Sequence, residues 1–150
     1  MPVRQSLPGI HARILLVDDN AHGLSARKTV LEELGHRIAV AASGPEALEQ
    51  FAHHKFDLVV TDYKMPKMDG LELIGRLRGL APDLPIILVS GYVDSMGLSE
   101  DSTGADVVIQ KSANEVMHLV RSVNRLLKRK TAKKPAGSEG AIIKTKRKAQ

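Results

Sequence analysis

The stretch FDLVVTDYKMPKMDG, residues 56 to 70, decides the fold. Its apolar run Leu58-Val59-Val60 has the length and branched side chains of a buried strand, yet it climbs to a carboxylate at Asp62. Met65-Pro66 and Gly70 follow, and these turn a chain rather than extend it. An acid at the end of a buried strand makes sense where that strand leaves its sheet at an open edge.

Working outward, the same punctuation recurs. Arg13 to Val17 reads as a strand that stops in Asp18-Asp19-Asn20, and Asp19 or Asn20 could cap the helix that follows. Ala21 to Leu34 has helical spacing, with Leu24, Val30, Leu31 and Leu34 on one side and Gly35 as its stop. A second strand spans Arg37 to Ala42. Ser43-Gly44-Pro45-Glu46 then opens a helix, with proline in its first turn.

Asp57 to Thr61 is the third strand and Leu71 to Leu80 the third helix. Pro82 and Pro85 bracket the turn into a fourth strand, Ile86 to Val89. Val93 to Thr103 should be helical by alternation, although Gly97 weakens it. Ala105 to Ile109 is the fifth strand. Ser112 to Leu127 carries an apolar face of Val116, Leu119, Val120, Val123 and Leu127.

Strand and helix alternate five times, and the strands are apolar almost throughout, as in parallel sheets covered on both faces. The expected fold is α/β: a doubly wound, flavodoxin-like three-layer sandwich whose five parallel strands take the order 2-1-3-4-5. Residues 1–12 form a leader, 13–128 the domain, and 129–150 a basic tail without periodicity that is expected to be disordered.

Composition sets bounds. The 150 residues are 43% hydrophobic and 26% charged, enough for one domain with its own core. Without cysteine there can be no disulfide, zinc thiolate or cysteine nucleophile. No signal peptide or membrane-length apolar run is visible, so a soluble, cytoplasmic protein is expected. From Lys128 to Gln150, nine Lys/Arg face one acid, Glu139, a balance of +8. The preceding 127 residues carry 13 against 16, a balance of −3.

Strand order 2-1-3-4-5 brings the carboxyl ends of the first and third strands together at the switch point, where such sheets bind ligands. Asp18, Asp19, Asp62, Ser90 and Lys111 all fall at that edge. Clustered carboxylates repel, by about 4 kcal/mol for a pair about 4 Å apart at an effective dielectric near 20. Lys111 offsets one charge, and a hard divalent ion such as Mg²⁺ would offset two. An ion beside a carboxylate, an ammonium and a hydroxyl suits phosphoryl transfer to an aspartate.

On the motifs ILLVDDN, DLVVTDYKMPKMDG, ILVSGY and the isolated Lys111, residues 13 to about 128 resemble the receiver domain of two-component response regulators. The spacings fit as well: 43 residues from Asp19 to Asp62, 28 to Ser90 and 21 to Lys111. The resemblance implies that Asp62 accepts a phosphoryl group from a histidine kinase or histidine phosphotransfer protein. It implies that Asp19 and Asp62 hold Mg²⁺ directly, Asp18 through water, and Lys64 by its backbone carbonyl. Ser90 and Lys111 would bind the phosphoryl oxygens. The activity implied is self-catalysed acceptance and slow autodephosphorylation, not turnover of a separate substrate.

The chain departs from the family pattern twice. Ser112 stands where proline usually follows the lysine, so a trans peptide is expected there, and Ser112-Ala113-Asn114-Glu115 has the form of a capping box. Val108 occupies the switch position, where many receivers carry an aromatic ring. No output domain is read in the chain, which suggests a stand-alone regulator, monomeric or weakly dimeric, that signals to an unknown downstream protein by protein–protein contact.

Two other readings compete with this one. A phosphatase of the haloacid dehalogenase type would carry D-x-D-x-T after the first strand, where this chain has Asp18-Asp19-Asn20. A binding module could use the basic tail on nucleic acid or an anionic surface. The tail has no aromatic residue to stack on bases, so no nucleic-acid partner is expected, and no membrane association either.

Overall fold

A computed structural model describes residues 11–133. Five strands, β1 (Arg13–Val17), β2 (Arg37–Ala41), β3 (Leu58–Asp62), β4 (Ile86–Ser90) and β5 (Val107–Gln110), form one parallel sheet in the order β2-β1-β3-β4-β5. Six helices connect or follow them: α1 (Ala21–Glu33), α2 (Gly44–His53), α3 (Gly70–Leu80), α4 (Val93–Met96), α5 (Glu100–Thr103) and α6 (Glu115–Lys133).

Side chains alternate across a strand, and here both sets are apolar. Ile14, Leu16, Leu58, Val60, Ile87 and Val89 pack with Leu31 of α1 and Leu119, Val123, Leu126 and Leu127 of α6. Leu15, Val17, Val59, Ile86 and Leu88 pack on the other face with Ala47 of α2 and Leu73, Ile74 and Leu77 of α3. Two apolar layers thus clamp the sheet and leave its edges for polar groups. The expected doubly wound sandwich is the observed one.

Several boundaries differ from the sequence reading, each for a local reason. Asp62 is the last residue of β3, in register with Val89, rather than the first beyond the strand. The segment 93–103 is two four-residue helices, because Gly97 takes a left-handed φ of 63° and ends the first. Of the two cap candidates read from the sequence, Asn20 is the one that caps α1, accepting from the N–H groups of His22 and Gly23.

The capping box expected at Ser112 does not form. Ser112 Oγ accepts from Asn114 N–H, the helix starts only at Glu115, and the Glu115 carboxylate is drawn away to Arg27. The Lys111–Ser112 peptide is trans, as expected. At its other end α6 runs on to Lys133, past the boundary read at residue 128. The rest of the basic tail, residues 134–150, and residues 1–10 of the leader lie outside the described residues.

Candidate functional site

The carboxyl ends of β1 and β3 lie side by side, with Val17 in register with Thr61. This brings Asp18, Asp19 and Asp62 together, one carboxylate oxygen of each lying within 4.8 Å of the others. Asp18 and Asp62 are buried and Asp19 is exposed. Lys111 reaches in from the end of β5, its Nζ 3.3 Å from Asp62 Oδ1 and 3.8 Å from Asp18 Oδ2. Its backbone N–H donates to the Ser90 carbonyl, which ties the lysine loop to the end of β4. Ser90 is fully buried, and its Oγ accepts from Tyr92 N–H at 2.9 Å.

The loop after β3 is held tightly. Gly70 N–H donates to the Tyr63 carbonyl, and a Cβ on Gly70 would drive into the Asp62 carbonyl, so only glycine fits. Met68 N–H reaches back to the Pro66 carbonyl across Lys67, whose φ is 72°; this has the features of a strained γ-turn. Among the described residues no hydrogen bond is made to the Lys64 carbonyl, while its Nζ lies 5.6 Å from the centre of the Tyr92 ring. Tyr92 in turn meets Tyr63 edge-on, with ring centroids 6.2 Å apart.

The two buried acids are driven in opposite directions. Burial, reinforced by the Asp18 charge, pushes Asp62 up to about 6; Lys111 and the Tyr63 N–H offset this only in part. Burial opposes ionisation of Asp18 too, but there it is outweighed. The Arg27 hydrogen bond, the Asn20 N–H, and the charges of Lys111 and Arg27 hold Asp18 below the usual carboxylate range.

Arg27 was missed from sequence. It lies on α1, is buried, and donates to Asp18 Oδ2 at 2.9 Å through Nη1 and to Glu115 Oε2 at 2.7 Å through Nε. The signal was there: Arg27 precedes the buried Leu31 by one turn and so shares its inward face. All five residues read as the site from sequence therefore gather at one rim. Val108 lies elsewhere, half-buried against the α2–α3 layer of the core, its N–H donating to Glu100 Oε2.

A compact acidic rim at the switch point of a 2-1-3-4-5 parallel sheet, crossed by one lysine, defines a class of signalling domain, and comparison with known proteins places the chain within it. The family model for the response regulator receiver domain matches residues 14–124. The chain belongs to that family and is a receiver domain of two-component signal transduction.

It is 33% identical over 132 residues to the response regulator MprA of Mycolicibacterium vanbaalenii, covering 87% of this chain and 56% of that protein. It is 32% identical over 132 residues to a gliding motility regulatory protein of Myxococcus xanthus, covering 83% of this chain but 16% of that protein. The chain thus spans only part of these relatives.

Among solved structures, TrrA of Thermotoga maritima, in complex with Mg²⁺ and BeF, matches at 36% identity and a TM-score of 0.69. The match covers 76% of this chain and 97% of TrrA. The receiver domain of Francisella response regulator 1452 matches at 31% identity and a TM-score of 0.73, covering 81% and 100%. Among the described residues no helix is long and apolar enough to cross a membrane.

Proposed function

We propose that this receiver accepts a phosphoryl group on Asp62 from a phosphohistidine, carried by a histidine kinase or phosphotransfer protein, and passes the signal on by protein–protein contact. The observation that carries this reading is the rim itself: three carboxylates with oxygens within 4.8 Å of one another and a lysine 3.3 Å from Asp62.

An all-oxygen set of this kind fits a hard divalent cation. Asp19 and Asp62 would hold Mg²⁺ directly, Asp18 through water and Lys64 through its carbonyl. Bound there, Mg²⁺ supplies positive charge to the phosphoryl oxygens.

Asp62 is the nucleophile. With its pKa near 6 it is mostly ionised at neutral pH, and its position at the end of β3 aims it out of the sheet. A carboxylate oxygen bonds to phosphorus as the phosphorus–nitrogen bond of the donor breaks. The electron pair leaves with the imidazole, which takes up a proton. Lys111 neutralises charge on the acyl phosphate, and Ser90 donates to a phosphoryl oxygen once its hydroxyl turns from Tyr92. The domain catalyses its own modification and its slow reversal.

Because Val108 has no ring to reorient, the loops after β3 and β4 should respond more than the face around Val108. A small phosphodonor with Mg²⁺ tests the reading. One hydroxylamine-sensitive phosphoryl group should be added, and Asp62→Asn should abolish it with the fold intact. A label that persists on another residue of that variant overturns the assignment.

A further inference from the structure

Arg27 is costly to bury and is not required by the sheet. Its guanidinium is almost wholly withdrawn from water, and breaking such a pair typically leaves an uncompensated charge inside the protein. The fold nevertheless makes room for it. Gly23 lies one turn earlier on α1, and a Cβ there would come within 3.1 Å of Asp18 Oδ2 and 3.4 Å of Arg27 Nη1. A side chain there would crowd the ion pair, and glycine leaves it room.

The two carboxylates that Arg27 holds belong to different parts of the chain. Asp18 closes β1 at the acidic rim, and Glu115 is the first residue of α6, 88 residues beyond Arg27. They take different nitrogens, Nη1 and Nε, on one rigid planar group. A shift of the Asp18 carboxylate must therefore either drag the guanidinium across Glu115 or break one of the two bonds.

We propose that Arg27 is a positioning residue that couples the rim to the first turn of α6: divalent-cation binding at Asp18, Asp19 and Asp62 is felt at Glu115 through Arg27. This rests on the metal reading above and adds to it an outlet on the α1–α6 side of the sheet, opposite the layer against which Val108 packs. Glu115 lies in the first turn, where its charge favours the helix dipole, so a change in its pairing alters the start of α6.

The chain provides its own reporter. It has two tyrosines and no tryptophan, and Tyr63 and Tyr92 both sit at the rim, so tyrosine emission reads cation binding there. Amide chemical shifts read the start of α6. In the wild type, saturating Mg²⁺ should change tyrosine emission and also shift the amides of Val116, Met117 and His118.

Arg27→Lys keeps the positive charge but cannot span both acids with a fork. It should still bind Mg²⁺, weaker by about tenfold as for other partners of a metal-ligating group. Its α6 shifts at saturation should fall by at least half, an effect that a purely stabilising role would not produce. Should that variant fail to fold, Glu115→Gln, which leaves Arg27 on Asp18, should show the same loss.

Full α6 shifts in the folded variant overturn the proposal and route the response through Lys111 instead. A wild-type rim that responds while α6 stays silent overturns it too, and leaves the metal reading standing. No response at the rim removes both.

Discussion

The two ends of this sheet use the same residue types to opposite effect. At the amino end two acids have structural assignments. Asp106 accepts from Ile86 N–H at the start of β4 and pairs with Arg78, and Asp57 accepts from Arg13 N–H at the start of β1 and pairs with Lys130. Arg78 is used in full, donating also to the carbonyls of Gly104, Pro82 and Leu84. At the carboxyl end, among the described residues, Arg27 pairs with Asp18 and Glu115 and Lys111 with Asp18 and Asp62, while Asp19 of the same cluster pairs with no cation. The two acids at the amino end are each met by a cation of their own; the four at the carboxyl end share two cations, and one divalent ion would supply the two charges that remain. Unbalanced charge, rather than the presence of charge, separates the functional rim from the structural one.

The largest effect should come from the balanced end. Arg78→Ala strips several hydrogen bonds from three carbonyls and a carboxylate, and should lower stability by about 3–4 kcal/mol. Urea unfolding would measure it, and the Mg²⁺ response of the tyrosines should survive in the folded variant. A loss below about 1 kcal/mol would erase the contrast between the ends.

Next comes Asp62→Asn in metal-free protein. A native pKa near 6 lies above the unfolded value, so the native state binds this proton more tightly. Its contribution to stability is complete below about pH 4 and is lost as pH rises through 6. At pH 7 the amide removes that penalty, and the variant should be more stable than wild type by up to about 3 kcal/mol. The gain should shrink towards pH 4. A destabilised variant at pH 7 would mean that Lys111 already satisfies Asp62.

The smallest effect belongs to His36, buried at the amino end. Its Nδ1 accepts from Ala12 N–H, and burial, aided by the His11 charge, pushes its pKa down. Its contribution is therefore present above the ordinary histidine value of 6.5 and lost as pH falls below it, the opposite sense to Asp62. Asn in its place keeps an acceptor and cannot protonate, so the decline in stability as pH falls below 6.5 should flatten. An unchanged slope would place that decline elsewhere.

What the sequence revealed follows the same division. The alternation of five strands with helices and the polar residues at the strand ends, Asp18, Asp19, Asp62, Ser90 and Lys111, were legible because strand ends are marked by abrupt changes from apolar to polar residues. Arg27 was hidden because an arginine between Ala26 and Lys28 on a helix with few apolar residues looks solvated, and its partner Glu115 is remote in sequence. The Ser112 capping box misled for the linked reason that Glu115 serves the ion pair instead of the helix cap. The break at Gly97 was visible as a weakness, and in the structure its left-handed turn divides the segment.

The most direct test of the unbalanced rim is the titration of the Asp62 carboxyl group by carbon-detected NMR, with and without Mg²⁺. Without the ion the midpoint should lie near 6. At saturating Mg²⁺ it should fall by more than about one unit, since the added charge favours the ionised form. A midpoint near the ordinary 3.8 that Mg²⁺ leaves unmoved would contradict the account, because the charge at the rim would then be fully offset without an ion.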